Sequence, residues 1–215
     1  EMSNRSAKKN RRLAYIYKLN VSENTSVEKF IDSFEKAMSI LNEVYVTGNH
    51  YVDKELYQWI AETKKQYENT SQLAYKQKLA ELGLNAALLI YDDGYFMIEN
   101  KMIFSEYLVQ VKIEKAKLVN KPDTLYEEAL AMLADVKENL EFLWEHSGGI
   151  FETGNYWEHK RIIAQSEQSI YLGKSALAWE NADYGSYYHY GEMSEEIRVE
   201  IDEIISIIYS LEEDF

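Results

Sequence analysis

Proline occurs once in this chain, at Pro122, and that scarcity constrains the fold more than any other feature of the sequence. Sandwiches and barrels need a turn every few residues, and turns draw on proline and glycine. With nine glycines, one proline and no cysteine in 215 residues, the material for a loop-rich or disulfide-framed fold is missing. Long helices use such a composition best. Apolar types make up 46% of the chain and aromatics 13%, enough to fill a core without a metal or disulfide staple and too much for a disordered segment.

The apolar periodicity agrees. Val27, Phe30, Ile31, Phe34, Met38, Leu41, Val44 and Tyr45 recur at intervals of three and four, one stripe over about five helical turns. Thr25-Ser26-Val27-Glu28 has the form of a capping box ahead of it, and Gly48 is a natural stop. A second helical stretch runs from Tyr51 to Leu82, with Asn69-Thr70-Ser71 as a dividing point and Gly83 as its end. Pro122 marks the clearest boundary, followed by a second box, Thr124-Leu125-Tyr126-Glu127, and a stripe through Leu130, Leu133, Val136, Leu140, Leu143 and Trp144. A further helix is expected from Asn155 with Tyr156, Ile163, Ile170 and Leu177 inward. A last one is expected after Gly191 on Ile197, Ile201, Ile204, Ile205, Ile208 and Leu211.

Residues 86–119 read two ways. Leu88–Tyr91 and Tyr95–Ile98 flank Asp92-Asp93-Gly94, as a short β-hairpin near 88–98 would require. Helices are favoured because a lone hairpin would have no sheet to join. The expectation is therefore an all-α, single-domain bundle of five or six amphipathic helices over residues 23–215. A basic arm precedes it at residues 1–22.

Charge narrows the function. The chain carries a net charge of −14, whereas residues 1–18 alone sum to +5 and residues 192–215 to −8. An acidic body repels nucleic acid and anionic lipid, so generic binding of nucleic acid by the body is not expected. The absence of cysteine removes thiolate catalysis, cysteine zinc sites and iron–sulfur clusters. No run of apolar residues is long enough for a membrane span. A cytoplasmic address is slightly favoured, with a trimmed extracytoplasmic domain as the alternative.

Enzyme motifs are missing: there is no phosphate-binding glycine loop, no His-Glu-x-x-His and no Gly-x-Ser-x-Gly elbow. None of the four histidines follows a glutamate by three residues, which removes the di-iron carboxylate pattern. No catalytic residue or cofactor is assigned. Two places stand out. Trp144-Glu145-His146 and Trp157-Glu158-His159 flank a glycine-rich corner, where His146, Glu152, Glu158 and His159 are metal-ligand candidates. Against this, tryptophans at helix ends plug cores, and the spacing fits no standard ligand pattern. The second place is Tyr184-Gly185-Ser186-Tyr187-Tyr188-His189-Tyr190, expected as a loop. Its tyrosine hydroxyls cannot all be satisfied in a core, so Tyr184, Tyr187, Tyr188, His189 and Tyr190, with Trp144 and Trp157, are candidate binding residues.

The reading favoured by these features is a non-enzymatic helical interaction protein, an adaptor, regulator or binding module whose partner is another protein. An acidic inhibitor or nucleic-acid mimic that blocks a basic protein surface is the first alternative, and a bundle that binds a small molecule or metal the second.

Overall fold

The computed structural model describes residues 26–46, 53–90, 93–147 and 152–213. Those residues form seven α-helices and no strand. In chain order they are α1 (Val27–Val46), α2 (Asp53–Asn69), α3 (Leu73–Ala87), α4 (Gly94–Ala116), α5 (Asp123–His146), α6 (Thr153–Glu180) and α7 (Tyr184–Glu213). The all-α expectation holds, with one helix more than the upper figure because Thr70–Gln72 interrupt the second stretch. Among the described residues no helix is long and apolar enough to cross a membrane. The basic arm lies outside the described residues.

Contacts gather into two units, residues 1–104 and 105–215. In the first, α3 packs on both α1 and α2. Phe30, Phe34 and Trp59 form its aromatic centre, with the Phe34 and Trp59 rings stacked at 4.8 Å and 7°. Leu56, Ile60, Leu79 and Ala80 are also buried in this unit. The α1 cap is Ser26, whose Oγ accepts the Lys29 N–H at 3.4 Å. Gly83 does not end α3. It sits buried inside the helix because the Phe104 ring occupies the space a side chain would need: a Cβ there would lie 2.2 Å from the ring.

The start of α4 settles the hairpin question. Asp93 Oδ1 accepts the Phe96 N–H at 2.9 Å and the Met97 N–H bonds the Asp93 carbonyl, so Asp93-Gly94 initiates a helix. Tyr95–Ile98 is its first turn, and the hairpin near 88–98 is not formed.

In the second unit α6 packs on α5 and, along a longer seam, on α7. From α5, Tyr126, Ala129, Leu133, Val136, Leu140 and Leu143 face inward. The helix begins at Asp123, directly after Pro122, so it starts ahead of the expected capping box. Ile163, Ala164 and Ile170 of α6 are buried, and Ala164 meets Ile201 and Ile204 of α7, flanked by Trp157, Ile197, Ile205 and Ile208. The isoleucine stripe therefore does what its periodicity implies. The helix that carries it, expected after Gly191, starts at Tyr184 and absorbs the whole tyrosine segment.

Candidate interaction surface at the α6–α7 corner

Only Asn181, Ala182 and Asp183 separate α6 from α7, and the backbone N–H of each bonds back to a carbonyl of α6. The Asp183 N–H reaches back to the Ala178 carbonyl at 2.9 Å and the Ala182 N–H to the Trp179 carbonyl at 3.0 Å. This pair of bonds is the Schellman pattern. It places Ala182 in the left-handed region with φ 57°, where glycine would normally sit. Asp183 then caps α7: its Oδ1 accepts the Ser186 N–H at 3.2 Å, and its carbonyl accepts the Tyr187 N–H at 3.0 Å. Hydrogen bonds from the Ser186 side chain and backbone hold the Asp183 carboxyl below its ordinary value. The cap, worth about 1 kcal/mol, offsets only part of the cost of two glycines, Gly185 and Gly191, at about 1 kcal/mol each in a helix. The segment is helix and not loop because the helix it opens goes on to bury Ile201 and Ile204 against α6.

The helix sorts the tyrosines by face. Tyr184 and Tyr188, four residues apart, point outward at 54% and 65% exposure, and Trp179 at the end of α6 is 57% exposed. The rings touch one another. Trp179 meets Tyr184 edge-on at 5.5 Å and Tyr187 at 5.2 Å, and Tyr187 meets Tyr188 edge-on at 5.1 Å. Such edge contacts are the favoured aromatic geometry. Tyr187 is half-buried, and its carbonyl accepts the Ser175 hydroxyl at 3.1 Å, which ties α7 to α6 under the cluster.

Tyr190 faces a different neighbourhood. Its ring stacks with Tyr171 at 6.2 Å and lies over the Lys174 ammonium at 5.2 Å. Lys174 is buried and donates to Glu127 of α5. Burial alone would lower the Lys174 pKa; the Glu127 hydrogen bond, with Tyr190 and the Glu127 charge, overcomes it and holds the value above normal. Tyr190 thus covers a buried ammonium whose carboxylate partner, Glu127, lies at the surface, whereas His189 is exposed, its ring 5.5 Å from that of Tyr190.

The Trp144/Trp157 pair behaves differently again. Trp144 is 41% exposed and stacks on Tyr156 at 4.5 Å. Tyr156 is buried, donates to Glu141 at 3.0 Å and accepts from Lys160 at 3.3 Å. Trp157 is partly buried beside Ile201 and Ile204 and carries Lys160 over its face at 5.3 Å. These rings are mostly engaged in holding α5 against α6.

The four metal-ligand candidates do not share an ion position. His146 is paired with the Phe142 carbonyl one turn earlier, at 3.0 Å. His159 donates to the buried Glu106 of α4, its Nδ1 2.9 and 3.0 Å from the two carboxylate oxygens. Glu158 pairs with Arg161, whose guanidinium hydrogen bond holds the carboxyl below its usual range. Glu152 precedes α6 and accepts the Tyr156 N–H on its backbone carbonyl. Among the described residues no group of three or more such side chains is placed to hold a metal ion.

Two residues, one at the corner and one on α4, were not legible beforehand. Trp179 reads as an ordinary core residue on α6, and its outward position follows only from where the Schellman turn falls. Glu106 looks like one more surface acid and is in fact buried. An open groove of about 200 Å³ also runs along α4 and α6. Its polar groups engage one another, Lys117 with Glu114 and Ser169 with the Gln165 carbonyl, which leaves few for a ligand.

No protein family, curated protein or solved structure matches the chain.

Proposed function

We propose that this is a non-enzymatic interaction protein that engages another protein through the aromatic corner between α6 and α7. One observation supports the reading above the others: Trp179, Tyr184 and Tyr188 are each more than half exposed and lie in one contiguous set of rings. Exposed clusters of this kind are uncommon on a protein with no partner, and tryptophan and tyrosine are the residues that dominate binding hot spots. Helical presentation adds to this. A ring on a capped helix loses less freedom on binding than the same ring on a loop, so more of its burial is expressed as affinity.

The test is capture of a partner from cells of the source organism, with wild type and the Trp179→Ala/Tyr184→Ala/Tyr188→Ala variant as parallel baits. A defined protein retained by the first and lost by the second is the expected outcome. Equal retention by both, with the variant shown to be folded, would remove the corner from the interface.

A further inference from the structure

The rings of the corner come from a stretch of sequence whose charged side chains are all acidic. From Ser175 to Ile197 there is no lysine or arginine, and the five carboxylates of Glu180, Asp183, Glu192, Glu195 and Glu196 are all exposed. Asp183 is committed to the α7 cap and Glu195 to Arg198 at 2.9 and 3.0 Å. Glu180, Glu192 and Glu196 have no ion-pair or hydrogen-bond partner among the described residues. One of these acids adjoins Trp179, and the other two follow Tyr188 along α7.

That charge pattern selects among the occupants an aromatic surface can take. Nucleic acid and anionic lipid bring phosphates toward unpaired carboxylates and are repelled. A second copy, packed corner to corner about a two-fold axis, would set the same acids against themselves. A neutral segment would bury the rings and leave the acids unused. A segment bearing guanidinium groups satisfies both features together: the planar cation stacks on tryptophan and tyrosine faces while its N–H groups reach carboxylates at the edge. Lysine supplies the charge without the stacking plane. We infer that the corner binds an arginine-bearing segment of a partner protein, with guanidinium groups over Trp179, Tyr184 and Tyr188 and their charge met by Glu180, Glu192 and Glu196. The inference rests on the interaction reading above and supplies the partner's chemistry.

Three short Gly/Ser peptides test it, one carrying several arginines, one the same number of lysines, and one citrulline, which keeps the shape of arginine without its charge. Titration calorimetry against the full chain should show the arginine peptide binding at least about tenfold more tightly than the citrulline peptide, and more tightly than the lysine peptide. Its affinity should fall about tenfold or more with Trp179→Ala/Tyr184→Ala/Tyr188→Ala, and similarly with Glu180→Gln/Glu192→Gln/Glu196→Gln. Removing three exposed acids elsewhere, by Asp32→Asn/Glu68→Gln/Glu138→Gln, should change it by less than about twofold. All three variants alter exposed side chains, and circular dichroism will show that each remains helical.

Equal loss with the control triple would mean attraction to the net charge alone and would overturn the inference. So would citrulline binding as well as arginine, which points to a neutral partner, or no binding of the arginine peptide at all. If the peptides fail while capture of a cellular partner still depends on the three rings, the interaction reading stands and only the partner's charge is wrong. If both fail, both fall.

Discussion

Gly83→Ala is the substitution whose sign the structure decides against the usual rule. In the middle of a helix, exchanging glycine for alanine gains about 0.5–1 kcal/mol, because glycine has more backbone freedom to lose on folding. At Gly83 the added methyl would lie 2.2, 2.3 and 2.5 Å from three atoms of the Phe104 ring. An ordinary contact starts near 3.4 Å, so ring and helix must separate by roughly 1.2 Å. Phe104 is fully buried, and its ring cannot swing out to solvent. Overpacking of this kind costs about 1–3 kcal/mol, and occasionally more. The cost exceeds the propensity gain, and we expect net destabilisation of about 1–2 kcal/mol. In a chain of this length that lowers the midpoint by about 2–8 °C. Urea and thermal unfolding followed by circular dichroism will measure it, with Gly185→Ala and Gly191→Ala as internal references. Those two positions are also helical, but an added Cβ meets nothing closer than 3.7 Å at the first and 3.9 Å at the second, so both should stabilise by about 0.5–1 kcal/mol. Adding Phe104→Leu to Gly83→Ala should recover part of the loss relative to Phe104→Leu alone. A Gly83→Ala protein as stable as Gly185→Ala would refute the packing of α3 on Phe104.

Three further outcomes follow from the same geometry. Ala182→Gly should stabilise by about 1 kcal/mol, since the left-handed φ of 57° penalises any side chain there, and Ala182→Val should destabilise; thermal unfolding checks both. Asp183 has a depressed carboxyl pKa, so its contribution is present above the ordinary carboxylate range and is lost as pH falls through the depressed value. The stability difference between wild type and Asp183→Ala should therefore be constant near neutrality and shrink in acid, and a difference independent of pH would contradict the cap. Glu106 and His159 should couple in a double-mutant cycle of Glu106→Ala and His159→Ala by about 1–3 kcal/mol, because the carboxylate is buried and loses its charge-assisted partner; strict additivity would show that the two do not meet.

The two turn-like segments that prove to be helix starts share one cause. Asp93-Gly94 and Asp183-Tyr184-Gly185 both look like turns, and in both the aspartate is the last residue before a helix. Aspartate serves turns and N-caps through the same side-chain acceptor, so local sequence does not separate the two uses. What separates them is whether the following residues can bury a helical stripe. After Asp183 that stripe is postponed to Ile197 and Ile201, beyond the reach of a short window. Gly83 shows the opposite limit. Its role depends on Phe104, 21 residues onward, which no pattern within α3 encodes. The long apolar stripes of α1, α5 and α7 were legible because a 3.6-residue period over several turns has no competing explanation. Among the candidate site residues, composition alone marked the tyrosines. Which of them face out required the helix register, and Trp179 required the turn.

The corner also explains why its rings are held as they are. Ala182 keeps an unfavourable backbone conformation, and the bonds from Ala182 and Asp183 back to α6 are what it maintains. Those bonds set the angle at which α7 leaves, and the Asp183 cap fixes the register of its first turn. Trp179 lies before the turn, and Tyr184 and Tyr188 after it, so their mutual placement depends on that angle and register together. Immobilising a side chain on binding costs about 0.5–1.5 kcal/mol, and rings that already rest on one another have less of that freedom to lose on association. Shifting α7 by one residue would turn Tyr184 and Tyr188 by about 100° and break the surface while leaving every tyrosine in the sequence. The property that would recognise a partner therefore belongs to the turn as much as to the rings, and Asp183→Ala should weaken binding although it removes no aromatic contact.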